Sequence, residues 1–174
     1  GIVQYFSARS EATIAAMQEA LTLLSDANPF AHKSACYYLG SAMQFAGHSA
    51  EAEEMLLEAY RCEQPKRTQA SARLLFGVAT VRIFSGQLSA AYESAQLLLH
   101  ETSAANLTLL EGWAHDTLGR IDYERNRLDS AAAHFAALRR RCYALHRGCA
   151  YDGFAGSLLL AAVLTWASVW LHGR

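Results

Sequence analysis

Apolar side chains recur every three or four residues along most of the chain, which is the spacing of one buried face on an α-helix. The pattern is clearest at 113–138, where two amphipathic segments flank a polar turn at 124–127. The second segment carries Ala131, Phe135 and Leu138 at i, i+4 and i+7. Asparagine tolerates the left-handed conformation, and an asparagine lies where this chain must reverse. The stretch therefore predicts a helical hairpin that needs neighbours to cover its apolar stripe.

Two similar hairpins precede this one. Gly47 and Gly86 take the turn position of Asn126, at intervals of 39 and 40 residues. A small residue lies seven positions before each turn and an alanine lies five positions after it, so the two helices of each hairpin can approach closely. A period near 40 residues predicts a stacked helical array. The small residues are Gly40, Ala79 and Gly119, and the alanines are Ala52, Ala91 and Ala131.

The pattern predicts an all-α fold, an α-α superhelix of helical hairpins with seven or eight helices. Ser10 is the predicted cap of the first helix, and Pro29 and Pro65 fall between units. The predicted helices are 11–25, 31–46, 49–63, 67–85, 88–102, 106–125, 128–147 and 150–172. We expect one domain over 1–174, divided into a partial unit 9–28, units 31–64, 67–103 and 106–147, and a partial unit 150–174.

These hairpins resemble the tetratricopeptide repeat, which has Leu-Gly, Tyr, Gly, Ala and Phe at fixed places. The second unit departs most, with Ala79 in place of the glycine and Ala95 in place of the large residue. The longer period is similar to the repeat region of large ATP-binding LuxR-type bacterial transcription regulators, the group that includes the maltose regulator. The resemblance implies a cytoplasmic regulatory region that senses a signal. The third unit matches best, through Leu118, Gly119, Tyr123, Asn126, Ala131, Phe135 and Leu138.

The composition fits such an array. Hydrophobic residues make up 52% of the 174 residues and charged residues 18%, which is ample material for a core. The formal net charge of −1 argues against direct contact with nucleic acid or an anionic membrane. There is no initiator Met and no cleavable signal pattern, so we expect a fragment of a longer cytoplasmic protein. Four cysteines form no dense framework, which favours reduced thiols.

The last predicted helix is unusually apolar. Residues 155–171 contain no charge, but seventeen residues fall short of the roughly 20 that a membrane span needs. We interpret the segment as the first helix of a further unit whose apolar face is left uncovered. Such a face would tend to pair with a second copy and form a homodimer. This observation motivates an alternative function, a self-associating scaffold for protein–protein contacts without a small-molecule ligand.

No catalytic signature occurs in the chain. Phosphate loops, HExxH zinc helices, GxSxG elbows and dinucleotide fingerprints are all missing from the sequence, so we predict neither an enzyme nor a bound cofactor. Cys142, His146 and Cys149 share a helical face, but a structural zinc needs a fourth ligand, so no metal is predicted. The other histidines show no pairing along the sequence. The basic run 139–141 with Arg147 is interpreted as a solvated helix face.

The first helix of each unit is expected to line a concave groove, and the family pattern places positions three, six and ten before each turn on it. Asp116 and Arg120 are spaced to pair with each other, or Arg120 could hold a carboxylate or phosphate. We predict that this groove binds a protein, a peptide or a small effector and so regulates the protein. The predicted contact residues are Tyr37, Ser41 and Gln44 in unit one, Phe76, Thr80 and Ile83 in unit two, and Asp116, Arg120 and Tyr123 in unit three.

Overall fold

The computed structural model describes residues 9–24, 28–63 and 67–148, with the side chains of Pro29 and of 142–148 left out. These residues form seven α-helices and no strand, which confirms the all-α prediction. The predicted helix at 150–172 lies outside the described residues. The helices are α1 (Ser10–Leu23), α2 (Pro29–Phe45), α3 (Ser49–Cys62), α4 (Gln69–Phe84), α5 (Leu88–Ala104), α6 (Thr108–Glu124) and α7 (Leu128–Gly148).

Left-handed residues end the first helix of each hairpin, as the sequence predicts. Gly47, Gly86 and Asn126 have φ angles of 92°, 74° and 55°. At each turn the next residue donates its N–H to a carbonyl five positions earlier, and the His48 to Met43 bond is 2.9 Å long. This bond satisfies a carbonyl that the helix end would otherwise leave unpaired. Asn106, with φ 55°, makes the same turn between α5 and α6.

Local capping fixes where two of the first helices begin. The Asn28 side chain accepts a 3.1 Å hydrogen bond from the Ala31 N–H, and Pro29 occupies the first turn of α2. Thr68 and Ser71 form a reciprocal capping box at the start of α4. The predicted cap at Ser10 was wrong. Helix α1 begins at Ser10 itself, and no side chain caps it.

The helices form a row and a flanking layer. The first helices α2, α4 and α6 pack side by side. The second helices α3 and α5 each pack against the first helix before and after them, α7 packs on α6, and α1 packs on α2. The same contact pattern therefore advances from unit to unit along the chain, as expected of a helical repeat.

The buried core is correspondingly a succession of clusters. One lies between α1 and α2 around Met17, and the next lies among α2, α3 and α4 around Leu56. A third joins α4, α5 and α6 around Leu98, and a fourth joins α5 and α6 around Leu118. Consecutive clusters share members such as Tyr60 and Leu99, so the core runs along the array and has no single centre. No described helix is both long and apolar enough to cross a membrane.

Matched side-chain volumes determine how closely the two helices of a unit approach where they cross. A Cβ added to Gly40 would lie 2.7 Å from Leu56, and one added to Gly119 would lie 2.8 Å from Phe135. Leu56 and Phe135 each follow their glycine by sixteen positions, and in the second unit the same spacing relates two alanines. These two, Ala79 and Ala95, are both fully buried. A large residue on the second helix thus accompanies glycine on the first, and a small one accompanies alanine.

Candidate ligand-binding face

All nine predicted contact residues lie on the first helices. The face that they form continues for one more helical turn towards the start of each helix. The position thirteen before each turn belongs to the same face, because it lies about one helical turn before the position at ten. It holds Ser34, Arg73 and Trp113. The first-helix face is defined here as twelve residues: Ser34, Tyr37, Ser41 and Gln44 on α2, Arg73, Phe76, Thr80 and Ile83 on α4, and Trp113, Asp116, Arg120 and Tyr123 on α6.

A row of aromatic rings crosses the three first helices. The rings of Tyr37 and Phe76 have centroids 6.1 Å apart, and Phe76 lies 4.9 Å from Trp113. All three rings are half-buried. Sequence reasoning proposed Tyr123 as the third aromatic residue, but that side chain is exposed near the end of α6. Trp113 was missed, and a search one turn further from Asn126 would have found it.

A second set of aromatic side chains lies near the turns, beside the first-helix face. Phe45 and Phe84 have ring centroids 5.9 Å apart and are 62% and 51% exposed. Both lie two residues before a turn glycine, and Glu124 takes the corresponding position in unit three. The Arg120 guanidinium lies 5.6 Å from the Phe84 ring centroid, a cation–π contact. The two aromatic sets give the face apolar area on both sides of its polar residues.

Two predicted contact residues use their hydroxyls within their own helix. Ser41 donates a 2.9 Å hydrogen bond to the Tyr37 carbonyl, and Thr80 donates a 2.8 Å bond to the Phe76 carbonyl. Such bonds to the preceding turn leave the hydroxyl proton unavailable to a ligand. Ile83 is half-buried against the cluster of α5 and α6. These three side chains therefore shape the face and supply little hydrogen-bonding capacity.

Asp116 and Arg120 do not form the ion pair that their spacing allows. No salt bridge joins them, and neither side chain makes a hydrogen bond to any described residue. Burial raises the pKa of the Asp116 carboxyl above its usual value, and the Arg120 charge partly opposes that rise. The pKa rises because removal from water disfavours the charged form. Asp116 is thus a half-buried carboxyl without a hydrogen-bond donor in the described part of the chain.

Three further polar groups of the face lack partners. The Ser34 Oγ, Gln44 Oε1 and Arg73 Nε atoms are buried and have no hydrogen-bond partner. Two similar atoms elsewhere, on Glu101 and Arg141, belong to side chains that make a hydrogen bond through another atom. Unpaired buried polar groups are uncommon and costly in folded proteins. Three of the five such atoms among the described residues lie on the first-helix face.

A different polar network joins α6 to α7, where sequence reasoning saw no histidine pairing. The buried Asp122 carboxylate accepts hydrogen bonds from Arg127 and Ser130. His134 Nε2 lies 3.8 Å from Asp122, and its Nδ1 lies 3.0 Å from His115 Nδ1. Burial, followed by the nearby His134, lowers the pKa of His115. Ser130 bonds to the carboxylate and not to a histidine, so the hydroxyl–imidazole link of a nucleophilic triad is missing here.

The remaining chemical predictions fall partly outside the described residues. The side chains of Cys142 and His146, all of Cys149, and the apolar segment 155–171 lie there, so the metal and homodimer interpretations stay predictions. Among the described residues, no three His, Cys, Asp or Glu side chains come together as metal ligands. Within the basic run, Arg141 forms an ion pair with Glu111 across α6 and α7.

Comparison with known proteins adds no family assignment. No protein-family model matches the chain, and no curated protein has significant sequence similarity to it.

Proposed function

We propose that this protein is a non-catalytic binding module and that its first-helix face receives a peptide segment of a protein partner. The observation that carries the proposal is the set of buried, unpartnered polar atoms on Ser34, Gln44 and Arg73, beside the aromatic row. An extended peptide offers backbone donors and acceptors for the polar atoms and side chains for the rings. A ligand site normally combines apolar walls with a few placed polar groups, and this face has both.

The resemblance of unit three to LuxR-type regulators supports a role for this module as a cytoplasmic sensor region of a transcription regulator. Occupancy of the face would then bias the arrangement of the repeat units and pass a signal to ATP- and DNA-binding parts. The complete reading frame tests this placement. A nucleotide-binding loop upstream and a helix-turn-helix downstream are expected, and a frame that lacks both would overturn it.

Selection from a phage-displayed library of random dodecapeptides on the immobilised chain tests peptide binding. We expect enriched peptides to lose binding to the Phe76→Ala variant, because its ring contacts both neighbouring first helices. Leu97→Ala is the matched control, since Leu97 is an exposed apolar residue on α5, away from the face. Circular dichroism establishes that both variants remain helical. Recovery of no peptide, or of peptides that bind the Phe76→Ala variant equally well, would overturn the proposal.

A further inference from the structure

The arginines of this protein differ in their surroundings. Arg125, for example, lies over the Tyr92 ring without a carboxylate partner among the described residues. Several others have carboxylate partners, as in the 2.8 Å bond from Arg82 Nε to Glu53. Arg127 and Arg141 likewise pair with Asp122 and Glu111. Two arginines on the first-helix face have none. No described carboxylate lies within ion-pair distance of Arg73 or Arg120.

Both unpaired guanidinium groups are held by aromatic rings. The Arg73 Cζ atom lies 5.5 Å from the Phe30 ring centroid and 5.8 Å from that of Trp113. Its Nε is buried and has no acceptor. Stacking on aromatic faces orients a guanidinium, and its terminal N–H groups can still donate to a planar acceptor. The favoured acceptor of that fork is a carboxylate, which can bind it with two parallel hydrogen bonds.

The face supplies little negative charge of its own. Asp116 is the one acidic member of the twelve-residue face, and its burial disfavours the charged form. Two cations therefore stand on a surface whose single carboxyl does not contact either of them. A ligand with negative charge complements this arrangement, and complementary charge raises both association rate and specificity.

We propose that the peptide bound by the first-helix face is acidic, with carboxylates that pair with Arg73 and Arg120. This inference rests on the proposed peptide binding. Arg73 lies thirteen positions before its turn on α4, and Arg120 lies six before its turn on α6. The two are thus roughly 10 Å apart along the helices and about 9 Å apart across them. About four residues of extended chain span that separation.

A peptide fits better than a nucleic acid. Two unpaired arginines on a chain of net charge −1 give little of the phosphate neutralisation that drives nucleic-acid binding. The Gln44 Oε1 and Ser34 Oγ atoms accept hydrogen bonds, which a peptide backbone N–H supplies at every residue except proline. The same bound peptide also supplies a backbone carbonyl or a side-chain carboxylate that accepts a hydrogen bond from the Arg73 Nε.

The peptides recovered by display are the probe for this inference. We expect those that require Phe76 to be enriched in Asp and Glu and depleted in Lys and Arg relative to the unselected library. Replacing two carboxylates of one synthetic peptide by amides should weaken binding about tenfold or more, measured by calorimetry. Arg73→Gln and Arg120→Gln should each weaken binding of the acidic peptide by a similar factor and leave binding of its amide counterpart unchanged. Arg139→Gln is the control, because Arg139 is exposed on α7.

The outcomes separate the two proposals. Peptides that need Phe76 but show no acidic enrichment would overturn the acidic inference and leave peptide binding intact. Failure to recover any peptide would overturn both. A single-stranded oligonucleotide that displaces the peptide at lower concentration than the free peptide itself would assign the face to nucleic acid instead. The Arg73→Lys variant keeps the charge but not the planar fork, so binding that survives it unchanged would exclude the paired-carboxylate geometry.

Discussion

Polar side chains have different surroundings in the α6–α7 seam, which is the polar interface between those two helices, and on the first-helix face. In the seam, the Asp122 carboxylate accepts hydrogen bonds from Arg127 and Ser130, and the Glu111 carboxylate accepts one from Arg141. On the face, Arg73 and Gln44 have buried polar atoms without partners. Most polar groups in the seam bond to one another and specify how the two helices fit together, although the Arg141 Nε atom has no partner. The polar groups left without partners on the face are those that we propose a bound peptide completes.

The largest expected effect comes from breaking the seam. Asp122 is 1% exposed, so an Asp122→Ala change removes the shared acceptor of Arg127 and Ser130 from a buried position. We expect the free energy of unfolding to fall by about 3 kcal/mol, measured by urea denaturation. Asp129→Ala, at an exposed site on α7, should cost about 0.5 kcal/mol. Equal losses in the two variants would show that the network contributes nothing specific.

Removing an arginine should destabilise the protein where that arginine has a carboxylate partner and stabilise it where the arginine has none. Arg82→Met leaves the half-buried Glu53 carboxylate without its 2.8 Å partner and should cost about 2 kcal/mol of unfolding free energy. Arg73→Met keeps a long side chain but removes an unpaired buried N–H, so stability should rise by about 1 kcal/mol. Denaturation of both variants under one set of conditions makes the comparison. A loss in Arg73→Met would show that its two ring contacts outweigh the missing hydrogen bond.

A smaller effect is expected from acid. The pKa of His115 is below its usual 6.5, because burial and the neighbouring His134 disfavour its charged form. Its contribution to stability is therefore complete above pH 6.5 and is lost as the pH falls through the folded-state value.

The urea midpoint should therefore fall between pH 7 and pH 5, and more steeply than in a His115→Gln variant. His100→Gln, at an exposed position on α5, is the control and should follow the unmodified protein. Identical slopes for all three proteins would show that the histidine pair has no part in acid sensitivity.

The fold could be predicted because its determinants are local. Helix spacing, turn residues with left-handed tendency and Pro29 all act within a few positions of the chain, and the observed helices follow them closely. Trp113 was missed only because the face was taken as three positions per helix. The prediction that the first helices share one face of the array needed only the repeated spacing of small residues from each turn.

The α6–α7 network could not be predicted in the same way. Asp122 and His134 are twelve residues apart on different helices, so their contact depends on how α7 rotates against α6. That rotation follows from buried contacts such as Phe135 against Gly119, which no pattern within one helix encodes. Conversely, the i, i+4 spacing of Asp116 and Arg120 suggested a pair that the structure does not contain. Spacing permits a bond, and the surrounding shape decides whether it forms.

The reciprocal sizes of Gly40 with Leu56 and Gly119 with Phe135 bear on how such a chain can change during evolution. A second helix transplanted from unit one into unit two would bring leucine against Ala79, while the reverse exchange would set alanine against glycine and open a void. A whole hairpin that is duplicated or deleted keeps this match between its own two helices. Half-hairpins cannot be shuffled freely, and recombination should therefore leave its breakpoints between units and not within them.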